Sequence, residues 1–373
     1  RIKHDAESLL ETAPSFIGLP MKKTLERLKE LVHKTVLTGN VFEEFGFKYF
    51  GPVDGHNVAE LINVLRNVRQ LSGPVLVHVI TQKGKGYTPA EQRPEVFHGP
   101  GPFEVATGEI IHTNAPPSYS QVFSETLIDL ARDNEKIVAI TAAMPDGTKL
   151  ELFEKAYPRR FFDVGIAEQH AATFAAGLAI AGMRPVFAVY STFLQRAYDQ
   201  VIHDICHQDL PVLLGVDRAG LVGSDGATHQ GVFDIAFLRT IPNMEIAMGK
   251  DEQDMRGLLK AALERPHPVA LRYPRGAVRG IDHSEGIPLI EWGKGEWLHT
   301  GKDLVFVALG PLVYQALEAR NMLLKQGWDV GVVNARFVKP LDGQLLNDVA
   351  QNTRLIMTVE EHAEAGGFGS AVS

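Results

Sequence analysis

The chain has 373 residues, enough for more than one domain with its own core, and its 45% apolar and 22% charged content is ordinary for a globular protein in water. A net charge of -8, from 37 basic and 45 acidic residues, argues against a nucleic-acid surface as the main business while leaving room for local anion pockets. Cys206 is the only cysteine, which excludes an internal disulfide; no apolar run is long enough to span a bilayer, and Arg1 to Glu11 is too polar for a signal peptide.

Residues 1–40 predict helix, with Leu25, Leu28, Leu31 and Val32 at helical spacing. An aromatic-rich stretch, Val41 to Phe50, ends in a turn signal at Gly51-Pro52 and Asp54-Gly55-His56. Helix is predicted over 58–71, and Val75 to Ile80 reads as a buried strand after Gly73-Pro74. That order fits the tail of a parallel α/β domain, so the first domain, 1–113, is expected to be partial. Residues 83–113 are rich in Gly and Pro and predict an ordered connection.

A second α/β domain is predicted over 114–283. Its strands are expected at 137–141, 186–189, 212–216 and 269–272, and its helices at 119–133, 168–181, 193–207 and 253–264. A third domain, 284–373, starts its strands near Leu304 to Leu309, 329–333 and 355–359, with a helix at 311–326. It is expected to be incomplete, because Gly366-Gly367-Phe368-Gly369 opens one more helix close to Ser373. The fold class is α/β, with open, mostly parallel sheets flanked by helices.

Five stretches carry chemistry. Arg160 to Ala171 leads from apolar residues through Asp163 and Gly165 into a run of small residues, with Glu168 where the helix opens. A carboxylate there is either a helix-start charge or a functional acid in an apolar pocket. Tyr190 to Gln200 follows a strand, at the end where open α/β sheets bind ligands. Tyr190 and Phe193 with Arg196 suit a flat heterocycle beside an anion; the other reading is a helix start capped by Ser191 or Thr192, with core aromatics. Asp217 to Gly220 and Gly223 to Gly231 form a glycine-rich loop carrying His229, an acid–base group or a solvated side chain. Arg272 and Arg275, around Pro274, are either a phosphate clamp or a surface pair. His98 lies in the Gly/Pro connection, from which it could fold over a site.

Phe162 to His170 resembles the catalytic-glutamate segment of thiamine-diphosphate enzymes of the transketolase group. Tyr190 to Gln200, Asp217 to Gly220, Asp225 to Gly231 and Tyr273 to Gly276 narrow the resemblance to the 1-deoxy-D-xylulose-5-phosphate synthase family. Gly51 to His56, Lys83 to Tyr87 and Arg336 to Asp342 match it too. The resemblance implies a diphosphate-binding, a pyrimidine-binding and a C-terminal domain, a homodimer in the bacterial cytoplasm, and thiamine diphosphate with Mg²⁺ as cofactors. It implies condensation of pyruvate with D-glyceraldehyde 3-phosphate, giving 1-deoxy-D-xylulose 5-phosphate and CO2, with no nucleic-acid or membrane partner. In that scheme Glu168 bonds the aminopyrimidine nitrogen N1′, and Phe193 and Ile166 contact the cofactor. Arg196 and Arg275 hold the acceptor's phosphate, Tyr190 and Asp225 shape its pocket, and Arg218 is a further anion contact. His229 and His98 are candidates for proton transfer.

The family's Gly-Asp-Gly…Asn metal segment has no counterpart, since no Gly-Asp-Gly occurs in the sequence. No metal ligand is therefore assigned, and the chain alone is expected to bind thiamine diphosphate weakly and to be inactive without that segment. The alternatives are another transketolase-type enzyme, the beta-type subunit of a 2-oxoacid dehydrogenase, or a catalytically empty fragment acting only by binding.

Overall fold

Residues 41–94, 96–111, 116–281 and 286–373 are described in this computed structural model, so the helix expected over 1–40 lies outside the described residues. The chain divides into two compact units, 1–113 and 114–373.

In the first unit, β1 (Lys48–Asp54) and β2 (Val75–Ile80) pair in parallel, with the helix Val58–Val68 between them. Asn57 caps that helix by accepting the Glu60 N–H at 3.2 Å. Gly51-Pro52 was expected to turn the chain, but β1 runs straight through, with a register shift between Phe50 and Val53. Gly51 has a φ of +145° and packs so close to the His78 carbonyl that no Cβ would fit. The pair therefore makes a bulge in a strand instead of a reversal. The connection after β2 is ordered by Tyr87, Phe97 and Phe103, whose ring centroids lie 5.2 to 6.0 Å apart.

The second unit holds β3 (Ile137–Thr141), β4 (Phe161–Asp163), β5 (Arg184–Tyr190), β6 (Leu213–Asp217), β7 (Glu245–Met248) and β8 (Val269–Arg272). Then follow β9 (Glu296–His299), β10 (Leu304–Ala308), β11 (Val330–Asn334), β12 (Phe337–Lys339) and β13 (Ile356–Val359). The larger sheet has seven strands in the order β12-β7-β8-β6-β5-β3-β4, all parallel except β12. Its central strands are apolar on both faces, as a sheet covered on both sides requires. Phe187 and Val189 of β5 join a core with Ala171, Ala172 and Ala175 of the helix Glu168–Ile180. Val186 and Ala188 face the opposite core, with Phe123 and Leu127 of the helix Tyr119–Asp133 and Leu258 of the helix Glu252–Glu264. The second sheet has four strands in the order β13-β10-β11-β9, with β9 antiparallel.

The run of small residues is what lets Glu168–Ile180 lie close to β5. Ala171, Ala172 and Ala175 are fully buried. Ala175→Leu should destabilise the protein by about 1–3 kcal/mol through overpacking. The urea-unfolding midpoint measures this, and an unchanged midpoint would mean the helix has room to shift.

The single helix expected over 193–207 is a composite. It runs as α-helix over Ser191–Leu194, 3₁₀ over Gln195–Ala197, α over Tyr198–Gln200 and π over Val201–Cys206. The residues it must bury, Leu194, Ala197, Val201 and Ile205, are spaced first by three and then by four. The winding tightens and then loosens to keep all of them in the core.

Segments 114–283 and 284–373 fall within one unit because the later segment lends β12 to the edge of the larger sheet. Beside it, buried Asp254 accepts from Arg336 (3.0 Å), Asn334 (2.7 Å) and Lys250 (3.1 Å). Burial works to raise the Asp254 carboxyl, but Arg336 and Lys250 outweigh it and hold the group below its ordinary range.

Candidate active site

The carboxyl ends of β4, β5, β6 and β8 carry the residues singled out by sequence. Asp163, ending β4, accepts the N–H groups of Ala143 at 2.7 Å and Gly165 at 2.9 Å. Gly165 turns at a φ of +71°, which favours glycine. The chain then enters the helix at Glu168, only 3% exposed, while Ile166 stands at the loop tip, 76% exposed. Arg196 Nη1 donates to Glu168 Oε2 at 2.7 Å. The other carboxylate oxygen, Oε1, has no hydrogen-bond partner among the described residues.

An aromatic wall stands where β5 passes into the same composite segment. Tyr190 and Phe193 stack with centroids 5.7 Å apart, and His229 meets Phe193 edge-on at 5.4 Å. Neither Ser191 nor Thr192 caps the helix with its side chain. Instead the Thr192 hydroxyl donates to the Thr228 carbonyl at 3.1 Å and ties the His229 loop to this segment. His229 Nδ1 lies 3.0 Å from the Thr228 hydroxyl. A cleft of about 150 Å³ opens between the two, lined by Thr192, Gln195, Thr228, Phe233 and Asp234.

Beneath the wall lies a buried polar layer. Arg218 Nη1 donates to Asp217 (2.9 Å), Ser120 (3.1 Å) and the Gly147 carbonyl (2.6 Å). Its guanidinium sits 4.1 Å from the centre of the Tyr190 ring. Burial pushes the Asp217 carboxyl up to about 6, opposed by Arg218 and the Ser120 hydroxyl. Burial likewise pushes the Tyr190 phenol up to about 12, so Tyr190 keeps its proton at neutral pH. Sequence reasoning missed Ser120 and Gly147 and gave Asp217 no role. The one available signal was a carboxylate closing a wholly apolar strand.

Above this layer Asp225 joins two cations. It forms ion pairs with Arg275, whose Nε lies 2.7 Å away, and with Arg218, whose Nε lies 3.6 Å away. Arg275 is half-exposed. Arg272 is not its partner in a clamp: it is 1% exposed and bound at Nε and Nη2 by the wholly buried Asp234. Arg272 ends β8 in a sheet buried on both faces, whereas Arg275 lies beyond the strand in the bend after Pro274. His98 belongs to the first unit, where its Nδ1 lies 2.9 Å from Lys83 Nζ.

A buried carboxylate held by an arginine at one oxygen only, in a domain that also carries stacked aromatics, fits a flat ring that presents a protonated nitrogen. Three family models match the chain: 1-deoxy-D-xylulose-5-phosphate synthase over 1–81, transketolase pyrimidine binding domain over 115–280, and transketolase C-terminal domain over 293–373. The 1-deoxy-D-xylulose-5-phosphate synthase of Heliobacterium modesticaldum is 52% identical over 372 residues, covering 100% of this chain and 57% of its own length. That of Aquifex aeolicus is 55% identical over 352 residues, covering 94% of this chain and 55% of its own. The chain belongs to the transketolase family, and these curated matches are 1-deoxy-D-xylulose-5-phosphate synthases.

The chain spans little more than half the length of these synthases, 57% and 55%. Among solved structures, a split-gene transketolase, an inactive beta4 tetramer, matches with a TM-score of 0.63 and 36% identity, over 69% of this chain and 84% of its own. The transketolase of Campylobacter jejuni shares the fold, with a TM-score of 0.55 at 17% identity, over 90% of this chain and 66% of its own. Membership of this transferase family implies thiamine diphosphate, and its pyrimidine-binding domain is the part that holds Glu168, Phe193 and Tyr190. Among the described residues no helix is long and apolar enough to cross a membrane.

Proposed function

We propose that this chain serves the condensation of pyruvate with D-glyceraldehyde 3-phosphate to 1-deoxy-D-xylulose 5-phosphate and CO2, a step that feeds isoprenoid synthesis. The observation that carries the reading is Glu168, buried at a helix start with Oε2 held by Arg196 and Oε1 outside that contact. Thiamine diphosphate, when bound, supplies a thiazolium that accepts the electron pair released as CO2 leaves.

The residues of this chain do the rest. Glu168 would hold N1′ of the aminopyrimidine through a hydrogen bond to its carboxylate, an interaction that would strengthen as that nitrogen gained positive character. Phe193, backed by Tyr190, offers a flat apolar surface to the ring, and Ile166 adds an exposed apolar side chain. Arg275 binds the phosphate of the acceptor aldehyde, and Asp225 fixes it by holding Nε. Tyr190, protonated at neutral pH, shapes the pocket with Arg218 behind it. His229 moves a proton at the acceptor's carbonyl oxygen, and His98 is a second candidate for that role. Mg²⁺ is the companion of the diphosphate in this reading, with ligands outside the residues assigned here. In this reading the enzyme works in the bacterial cytoplasm as a homodimer.

The second reading is a transketolase of the split-gene kind, which the 36% identity to that structure favours. The match of 1–81 to the synthase model favours the first reading.

Arg275→Ala in the full-length protein should raise KM for D-glyceraldehyde 3-phosphate by about tenfold or more, the scale of one charge-assisted contact. KM for pyruvate should hardly move. An equal rise for both substrates would assign Arg275 to the scaffold.

A further inference from the structure

We propose that Arg196 is a positioning residue for Glu168, and that the acceptor's phosphate is left to Arg275. The inference rests on the reading of Glu168 given above.

Besides Arg272, which is buried with Asp234, three arginines near these strand ends are each matched to a carboxylate. Arg218 pairs with Asp217, Arg275 with Asp225 and Arg196 with Glu168. In the last pair Glu168 is 3% exposed, and Arg196, whose side chain is 45% exposed, is its only ion-pair partner among the described residues. A buried carboxylate stripped of its counter-ion is strongly unfavourable. Turning Arg196 outward to a phosphate would leave Glu168 in that condition. Arg275 makes no such sacrifice: Asp225, its ion-pair partner at Nε, is itself backed by Arg218, while no ion pair at the outer amino groups of Arg275 is found among the described residues.

Backbone placement agrees. Arg196 sits in the 3₁₀ turn Gln195–Ala197, between the fully buried Leu194 and Ala197. That anchorage fixes its Cα beside the start of the Glu168 helix. The 2.7 Å contact occupies Oε2 alone, so the guanidinium orients the carboxylate and leaves Oε1 for the cofactor's ring nitrogen. An arginine restrained in this way sets the direction of the acid without touching the reacting atoms.

The test is a double-mutant cycle on the full-length protein, read in two ways. Unfolding without cofactor comes first. Arg196→Ala should shift the unfolding equilibrium by about tenfold or more when Glu168 is present, and by less than about threefold in a Glu168→Gln background. Kinetics come second. With cofactor, Arg196→Ala should lower kcat by about tenfold or more, and by the same factor for phosphorylated and unphosphorylated aldehyde acceptors. Arg196→Lys should recover part of that loss, since it restores the charge without the planar fork.

A rise in KM confined to the phosphorylated acceptor, with kcat intact, overturns the proposal and returns Arg196 to the phosphate. Additive effects in the unfolding cycle overturn it as well. Wild-type turnover in Glu168→Gln alone is a different result: it removes the reading of the site itself, and this inference with it.

Discussion

Replacing Glu168 by glutamine is expected to lower turnover of the full-length protein by at least about a hundredfold, the scale of losing a positioned acid–base group. The substitution keeps the shape of the side chain and its place at the helix start. It removes the negative charge that makes the hydrogen bond to N1′ strengthen as that nitrogen becomes positive. Thiamine diphosphate affinity should fall much less than turnover, because the aromatic wall of Phe193 and Tyr190 is untouched. Steady-state kinetics beside a cofactor titration separates the two effects. Near-normal turnover would falsify the assignment of Glu168. A parallel collapse of affinity and turnover would make it a binding residue alone.

The largest stability effect is expected at Asp234. Arg272 and Asp234 are 1% and 0% exposed, joined through two nitrogens and both carboxylate oxygens. Arg272 Nη1 also lies 3.1 Å from the Met248 sulfur, so the guanidinium is enclosed on all sides named here. Asp234→Ala strips the counter-ion from a cation that water cannot reach, at a cost of about 3–5 kcal/mol. Replacing both partners by apolar side chains, as in Arg272→Met with Asp234→Leu, should cost less than Asp234→Ala alone. Urea unfolding of the three variants ranks them. If the double replacement proved the worst, the pair would contribute net stability, not merely compensate its own burial. Because β8 ends at Arg272 and Asp234 lines the cleft beside Thr192, loss of this pair should also loosen the floor of the candidate site.

Much of this site is legible along the chain because its signals are contiguous. The apolar lead, the turn at Gly165 and the alanine run place Glu168 at a helix start within a dozen residues. The strands that build the sheet centre are apolar on both faces, and their uninterrupted runs mark them. The positions of Tyr190, Phe193, Asp225 and His229 at strand ends follow from the same parallel pattern. Shorter elements escape. β4 and β12 have three residues each, and β12 is a strand only because β7 offers it an edge. Gly51-Pro52 has turn chemistry, yet the close approach of His78 makes it a bulge. Charge pairing is harder still. Ser120 and Asp217 meet across 97 positions, and Asn334 and Arg336 reach Asp254 across 80 and 82. From sequence, Arg196, Arg218, Arg272 and Arg275 are all basic residues at strand ends, and any of them could face an anion. The sequence determines where a carboxylate or a guanidinium enters the fold, because helix and strand periods act between near neighbours. Only the tertiary structure decides which charge is buried with which, since desolvation exists only once distant segments have closed around the pair.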